Sequence, residues 1–483
     1  MKRHPHGPDE HGAGSGAGAP PAEEGEDAPA SLSPYLTTLA GIVTLITLIA
    51  FEAVAVSTAM PVLTRDLNAV REYGFAFSVF IAAQLLGVTL SGGWCDTVGT
   101  RWPVRTGLLL FGVGQLICGI APTYNVLLLG RAMAGAGAGL LVVALYVVIA
   151  DSFPSHLQPR VFSLISAAWV VPGIVGPAIS GFLAEQVSWR LVFLFVVPLA
   201  VPPAIALLPK LRSTPAHEPG DPAALTRSQL RSRALCGVAV TTGVLGLQWG
   251  LGEAQDLGPV LTAAFVLGGL ALVVAGFRPL APAGTLRLGR GLPTVIALRG
   301  LFAGMFFGAE SFIPLMLTSQ HGFSASHAGL VLTGGILGWT VGSYVQARPS
   351  LRLPRHLLFV IGAALIAVSL AGLTLLIRPP ASGWLVLPLW AVSAVGMGLA
   401  MSSTGVLTLR YSEPGQEGRN SSALQLSDAL GAALGIGLTG AAFAAWHDPD
   451  GGDAHLFTVM WLVAGGFGLL VALAGFRAQP ARA

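Results

Sequence analysis

Lysine is almost absent from this chain of 483 residues. The two lysines are Lys2 and Lys210, and neither follows a glycine, so the chain lacks the Gly-Lys-[Ser/Thr] step with which nucleotide-driven pumps bind phosphate. The longest polar stretch between apolar runs, residues 210–233, is also far too short for a soluble nucleotide-binding domain. We therefore expect neither a nucleotide nor a nucleic acid as partner, and no ATP hydrolysis.

Charge of either sign is scarce as well. Charged residues form 10% of the sequence and hydrophobic residues 53%, whereas soluble domains carry roughly 25% charged residues. A helix that crosses a bilayer needs about 20 mostly apolar residues. Fourteen such runs occur, at residues 36–62, 74–94, 104–121, 125–150, 160–184, 190–209, 234–252, 257–277, 294–317, 326–346, 355–377, 383–408, 422–445 and 455–476. This pattern predicts an all-α integral membrane protein with fourteen transmembrane helices.

Cysteines and catalytic motifs are equally sparse. The three cysteines, Cys95, Cys118 and Cys236, lie in or beside helices where disulfides are not favoured, and we interpret them as packing residues. The sequence holds no Gly-x-Ser-x-Gly elbow, no His-Glu-x-x-His pair and no Cys/His cluster. We therefore expect neither an enzyme nor a bound metal or cofactor.

The positive charges that remain are unevenly placed. Cytoplasmic loops of membrane proteins carry an excess of arginine and lysine. If the N-terminus lies inside, most of the 26 arginines and lysines of this chain fall in cytoplasmic loops and in the two tails. This count treats Arg299 as a loop residue and leaves Arg131 within a helix. It predicts that both termini are cytoplasmic.

The apolar runs nevertheless contain ionisable side chains, each of which costs at least about 2.5–3.5 kcal/mol at a helix centre. The candidates are Glu52, Arg131, Glu310 and Asp428. Transporters are commonly built from repeated halves with the binding site between them. Glu52 in the first run and Glu310 in the ninth occupy equivalent depths, about 24 Å along their helices. Each is followed by a proline, Pro61 or Pro314, which can bend the helix end.

The loop after the second run carries a motif. GGWCDTVGTRW, residues 92–102, resembles the Gly-x-Leu-Ala-Asp-Arg-x-Gly-Arg-Lys signature of the major facilitator superfamily. The matching residues are Gly92, Asp96, Gly99 and Arg101. In that family the loop latches the cytoplasmic gate, so the resemblance implies a gating role for them. Thr97 and Thr100 replace basic residues of the signature, and a tight turn with a helix cap is the alternative interpretation.

Two further motifs follow in the order of that family. GRAMAGAGAG, residues 130–139, resembles the Arg-x-x-x-Gly-x-Gly pattern of its fourth helix and implies that Arg131 lies inside the bundle. PGIVGPAISGFL, residues 172–183, resembles the antiporter motif of its fifth helix, which marks exporters. Its matching residues are Gly173, Gly176, Pro177 and Gly181. Glycines flanking a proline suit a bent, closely packed helix, so we expect a movable contact here.

The resemblance extends to the fourteen-helix drug:proton antiporter branch of the superfamily. Glu52, followed nine residues later by Pro61, fits the first helix of that branch, although most members have aspartate at this place. The likeness covers about residues 36–477 and implies a major-facilitator fold of six, two and six helices. The implied segments are a first half 35–209, a cytoplasmic linker 210–233, an inserted pair 234–277, a second half 278–477 and a tail 478–483. Residues 1–34, which have almost no large apolar side chain, are expected to form a disordered cytoplasmic tail.

These features predict a secondary antiporter of a bacterial inner membrane, driven by the proton gradient without a cofactor. It would export small amphipathic compounds, cationic or zwitterionic, as in multidrug efflux. We expect a monomer in the bilayer and leave an oligomer open. One alternative is a dedicated exporter of an envelope lipid or of an endogenous metabolite or antibiotic. Another is a non-transporting sensor on a transporter scaffold, because fold does not determine function.

The charged residues receive separate hypotheses. Glu52 and Glu310 are the predicted proton or cation sites, with Arg131 tuning them. In the functional interpretation Glu52 faces the central cavity and alternates between protonated and ionised forms; in the structural one it pairs permanently with Arg131. Asp428 either polarises a gate or satisfies a helix end. Three acids against one arginine predict a negative cavity, and the inserted pair is expected to lie outside the transport path.

Overall fold

The computed structural model describes residues 32–154, 157–211, 226–348, 350–413, 416–448 and 452–479. All regular secondary structure in these ranges is helical. Fourteen helical stretches among them are long and apolar enough to cross a membrane. The predicted all-α membrane fold with fourteen spans is therefore confirmed. The prediction of an unstructured tail falls, up to residue 31, outside the described residues.

The first six spans are built from seven α-helices, followed by two helices in the middle of the chain. They are α1 (Leu36–Asp66), α2 (Tyr73–Val98), α3 (Arg101–Ile120), α4 (Tyr124–Ser152), α5 (Gln158–Phe182), α6 (Arg190–Leu194), α7 (Val196–Leu207), α8 (Arg227–Gly252) and α9 (Ala254–Phe277). A π-helical segment, Leu183–Ser188, extends α5. The helices α6 and α7 form one span.

The last six spans are built from seven more helices. They are α10 (Leu292–Glu310), α11 (Ile313–Gln320), α12 (Ala325–Ala347), α13 (Arg355–Leu373), α14 (Val386–Tyr411), α15 (Glu417–Trp446) and α16 (Ala454–Gly475). The helices α10 and α11 form one span with a break after Glu310. Pro314 lies four residues beyond Glu310 and has no backbone N–H, so it cannot donate a helical hydrogen bond to the Glu310 carbonyl. This missing bond explains the break. In contrast, α1 runs through Pro61 without interruption.

The chain has two recognisable ends of the bundle. We call the end where α1 starts and α16 finishes the tail end; there the Gly291 N–H donates to the Arg477 carbonyl at 3.0 Å. The opposite one is the far end, where the Trp189 indole donates to Asp66 at 2.8 Å. The prediction that the tail end is cytoplasmic stays a prediction.

Contacts between the two sets of spans follow two seams, α2 against α15 and α5 against α12. The helix α8 packs on both α2 and α15, and α9 packs on α8. The helix α8 starts earlier than the predicted linker 210–233 allows, because residues 227–233 are already helical. Thr226 and Gln229 form a capping box there, with the Gln229 N–H donating to the Thr226 hydroxyl at 3.3 Å. A cap in polar residues extends the helix beyond its apolar run.

Candidate transport cavity

A cavity of about 1570 Å³ lies between the two sets of spans. Its wall takes residues from α1, α2, α4 and α5 on one side and from α10, α12 and α15 on the other. The lining reaches the tail end, where Gly92, Arg233 and Arg419 contribute. The cavity therefore extends to the end of the bundle that holds the predicted gate loop.

The far end is closed by contacts along both seams. Gly74 of α2 packs on Gly440 of α15 without room for a side chain at either position. Glu185, just beyond α5, accepts hydrogen bonds from the Ala325 backbone N–H and from the Ser326 hydroxyl of α12. Arg71 donates to the Ala444 carbonyl at 3.1 Å. The conformation is thus open towards the tail end and sealed at the far end.

Glu52 and Arg131 form a buried ion pair between α1 and α4. The residues are only 1% and 2% exposed, and Arg131 Nη1 donates to Glu52 Oε1. Arg131 also donates from Nε to the Ala76 carbonyl at 3.2 Å and stacks 4.2 Å above the Phe80 ring. Glu52 Oε2 makes no close hydrogen bond among the described residues, and the amide of the fully buried Gln115 lies beside the carboxylate as a weaker partner. The Arg131 guanidinium is therefore the main group that offsets the cost of burying the Glu52 carboxylate.

The pair does not present its acid to the cavity. Arg131 and Phe80 line the wall, whereas Glu52 lies behind Arg131. This corrects the expectation that Glu52 faces the cavity: here it has the partner that the structural interpretation gave it.

A second ion pair, missed by the sequence analysis, joins Arg299 of α10 to Asp428 of α15. The Arg299 Nε to Asp428 Oδ1 distance is 2.9 Å, and Nη1 donates to the Met401 carbonyl at 3.1 Å. Both side chains line the cavity and are partly exposed. The signal was present, because Arg299 lies inside the predicted run 294–317 although it was counted with the loops.

Glu310 remains as the acid without a cation. No hydrogen bond or ion pair reaches its carboxylate from the described residues, and it lines the cavity. The expected excess of three acids over one arginine is therefore corrected to two ion pairs and one unpaired acid. The two glutamates, placed at equivalent depths by sequence, have different surroundings.

Aromatic side chains surround the unpaired acid. Phe306 and Phe307 lie one helical turn before Glu310 on α10. Trp339 of α12 meets Phe306 edge-on, with ring centroids 5.8 Å apart, and all three rings line the cavity. The Trp390 indole N–H, buried and without a partner in the described part of the chain, flanks Gly335 together with Glu310. A carboxylate among aromatic faces is a site suited to an organic cation.

The predicted gate residues lie at the tail end. Gly99 ends α2 with φ +79°, a backbone conformation that favours glycine. Arg101 is the exposed first residue of α3, Asp96 is half-buried near the end of α2, and Gly92 lines the cavity. Their gating role stays a prediction.

The antiporter motif contacts two different helices. Gly173 lies against Ile336, Pro177 against Gly329 and Gly181 against the backbone of Ser326, all on α12. Gly176 instead faces α1, where a methyl group would lie 3.7 Å from Phe51 and Val54. Gly181 is therefore at the far-end closure, whereas Gly176 has room for a small side chain.

The inserted pair is not wholly outside the path. Cys236 of α8 lines the cavity near the tail end, which corrects the expectation that all of residues 234–277 is peripheral. Gln229, Ser232 and Arg233, from the predicted linker, line it as well. α8 reaches the wall because its Thr241 hydroxyl donates to the Ala82 carbonyl of α2 at 3.0 Å. On the other side of the same α2–α15 seam, Gln248 donates to the Ala433 carbonyl of α15 at 2.9 Å.

Comparison with known proteins agrees with this architecture. The family model described as Major Facilitator Superfamily matches residues 41–309. "Multidrug efflux pump SdrM" of Staphylococcus aureus (strain N315) is 24% identical over 432 residues, 86% of this chain and 93% of that protein. "MFS-type transporter ungB" of Aspergillus violaceofuscus (strain CBS 115571) is 27% identical over 383 residues, 76% of this chain and 69% of that protein.

Solved structures share the fold. A POT family transporter crystallised with 5-aminolevulinic acid superposes with a TM-score of 0.68 at 15% identity. The superposition covers 90% of this chain and 94% of that one. At this identity the likeness supports the fold alone.

Proposed function

The chain belongs to the Major Facilitator Superfamily, and from this premise we propose that it is a proton-coupled antiporter that exports amphipathic cationic or zwitterionic compounds. The proposal depends on Glu310, the acid without a cation beside Phe306, Phe307 and Trp339 in the cavity wall. A carboxylate in an apolar site must be neutralised by a proton or paired with a cation. Because both neutralise the same group, proton and substrate exclude each other, and this exclusion gives exchange.

The apolar share of the site fits an amphipathic substrate. The aromatic rings attract the charged centre of an organic cation through their π faces and also accept its apolar surface. The name of the staphylococcal relative, a multidrug efflux pump, supports export of such compounds. In this proposal Glu52 and Arg131 transmit protonation between states, Asp428 and Arg299 set the tail-end width of the cavity, and no cofactor takes part. The protein then works as a monomer in a bacterial inner membrane.

Glu310→Gln tests the proposal. In proteoliposomes with an imposed pH gradient, the wild-type protein should exchange tetraphenylphosphonium for protons, measured by a pH-sensitive dye and a phosphonium electrode. The variant should lose gradient-driven movement of the cation, because its amide neither binds a proton nor pairs with a cation. Glu413→Gln, at an exposed tail-end loop, is the matched control. Wild-type exchange by Glu310→Gln would exclude Glu310 as the shared site.

A further inference from the structure

A second cavity, of about 710 Å³, lies on the outer side of α8, between α8 and α9 near the tail end. We call it the outer groove. It faces the membrane, because α9 is the least buried of the fourteen spans and carries exposed side chains such as Leu267. Ser232 and Cys236 line both the outer groove and the transport cavity. The two spaces thus adjoin along the edge of α8 that carries these two small side chains.

The outer groove has a polar rim and an apolar floor. Ser228, Arg231 and Ser232 form the rim at the start of α8, and Leu235 and Ala275 belong to the floor. No acidic side chain lines the groove in the described part of the chain. An arginine with neighbouring hydroxyls binds a phosphate, and an apolar floor below it accepts a hydrocarbon chain.

The polar rim continues into the transport cavity. Arg233, two residues after Arg231, lines the cavity side of α8, with Arg419 of α15 at the same end. Small residues hold α8 at this place, where Gly237 lies against Thr89 of α2. Donors for an anionic group are therefore available on both sides of Ser232 and Cys236, whereas the acid that receives a cation, Glu310, lies deeper.

We propose that Ser232 and Cys236 form a lateral portal through which an amphiphile with a phosphate in its headgroup enters the transport cavity from the tail-side leaflet. Arg231 receives the phosphate in the outer groove and Arg233 receives it inside. This inference rests on the proposed function and narrows its substrates to lipid-like zwitterions, whose cationic centre reaches Glu310. It makes the inserted pair an entrance.

Maleimide labelling from the bilayer tests the portal. The reporter is Gln425→Cys, which lines the transport cavity and not the outer groove, in a Cys236→Ser background where Cys95 and Cys118 are fully buried. The probe is a phosphatidylethanolamine whose amine carries maleimide, incorporated in both leaflets of the vesicle, and mass spectrometry gives the labelling rate. We expect labelling of the reporter.

Obstruction of the portal should stop the lipid-borne probe selectively. Ser232→Trp should slow its reaction about tenfold, because the indole ring fills the passage that serine leaves open, and should leave labelling by a water-soluble maleimide unchanged. Leu267→Trp, on the exposed face of α9, is the matched control and should change neither rate. Equal lipid-borne rates with and without Ser232→Trp, or no lipid-borne labelling at all, would overturn the portal.

A phosphate-free probe separates the headgroup from the chain. Maleimide on a diacylglycerol anchor should label more slowly than the phosphatidylethanolamine probe, and Arg231→Gln should abolish that difference. If the two anchors react equally in the wild-type protein, phosphate recognition is excluded. These rates need no proton gradient and should persist in Glu310→Gln, so a failure of antiport and a failure of the portal give different results.

Discussion

The Glu52–Arg131 pair concentrates two opposite charges where water has almost no access. The attraction between such charges roughly offsets their desolvation, but removing one partner leaves the other uncompensated. The contribution of this pair to the free energy of unfolding therefore depends on both residues being present. Asp428 and Arg299, with side chains 27% and 17% exposed, remain partly solvated and depend less on each other.

A double-mutant cycle should show this dependence. Glu52→Gln and Arg131→Met should each destabilise the protein by about 3–5 kcal/mol, and the double variant should lose clearly less than their sum. Thermal unfolding in detergent gives the stabilities, and all three variants should fail to export under a pH gradient. The corresponding cycle at Asp428 and Arg299 is the control with a smaller coupling. Additive losses at Glu52 and Arg131 would contradict the pairing.

Single residues were predictable where their chemistry contradicts their surroundings. An ionisable group in an apolar run has a high cost, so Glu52, Arg131, Glu310 and Asp428 stand out in the sequence. The pairing of Arg299 with Asp428 does not, because the two residues are 129 positions apart and only the packing of α10 on α15 brings them together. The position of Glu52 behind Arg131 was equally hidden, since depth along a helix does not determine the direction of a side chain.

At the scale of helices, small residues such as Gly181 and Gly329 let α5 and α12 approach each other closely. Gly181 contacts the Ser326 backbone closely enough that an added methyl group has no space. The same motif offers Gly176 as a position where a methyl group fits. The glycines of this motif therefore meet two different requirements: Gly181 permits the close contact at the far end, and Gly176 takes part in ordinary packing.

Gly181→Ala should weaken the far-end closure, whereas Gly176→Ala should not. A methyl forced against backbone costs ~1–3 kcal/mol, so the population open at the far end should rise roughly tenfold. Thr58→Cys, fully buried below this contact, reports it through reaction with an impermeant thiol reagent from the far side in a Cys236→Ser background. Equal reactivity in the two glycine variants would contradict a closure at Gly181.

Helix number was predictable because a bilayer imposes a length on every span. Helix ends were less so: α8 starts in polar residues through its capping box, and α10 stops where Pro314 removes a donor. Both signals are local and visible in the sequence. The place of α8 across the α2–α15 seam is not, since it depends on hydrogen bonds from Thr241 and Gln248 to distant carbonyls.

Across the whole molecule, the closed far end links three parts of the chain. Arg71 donates to the Ala444 carbonyl of α15 and pairs with Asp256 of α9 at 3.3 Å. Gln255 donates to the Ala445 carbonyl from the same turn. One arginine thus connects the first set of spans with the second set and with the inserted pair. This connection could not be predicted from a sequence pattern, because the partners of Arg71 are a backbone carbonyl and an exposed acid.

Arg71→Gln should therefore favour separation at the far end. Spin labels at Thr123→Cys and Trp446→Cys, both exposed there, should show a population at longer distances in the variant, in a Cys236→Ser background. Arg65→Gln, an exposed arginine nearby, is the matched control and should keep the wild-type distance distribution. Identical distributions for the two variants would show that Arg71 does not hold the closure.

The exposure of the Arg71–Asp256 pair makes this far-end contact sensitive to salt. Its side chains are 39% and 67% exposed, so mobile ions around it weaken the attraction as the Debye length shortens from about 8 Å at physiological ionic strength to about 3 Å at 1 M salt. The Glu52–Arg131 pair is shielded from those ions by its burial. We therefore expect higher ionic strength at the far end to weaken the contact that Arg71 makes with Asp256 and to leave the Glu52–Arg131 pair unchanged.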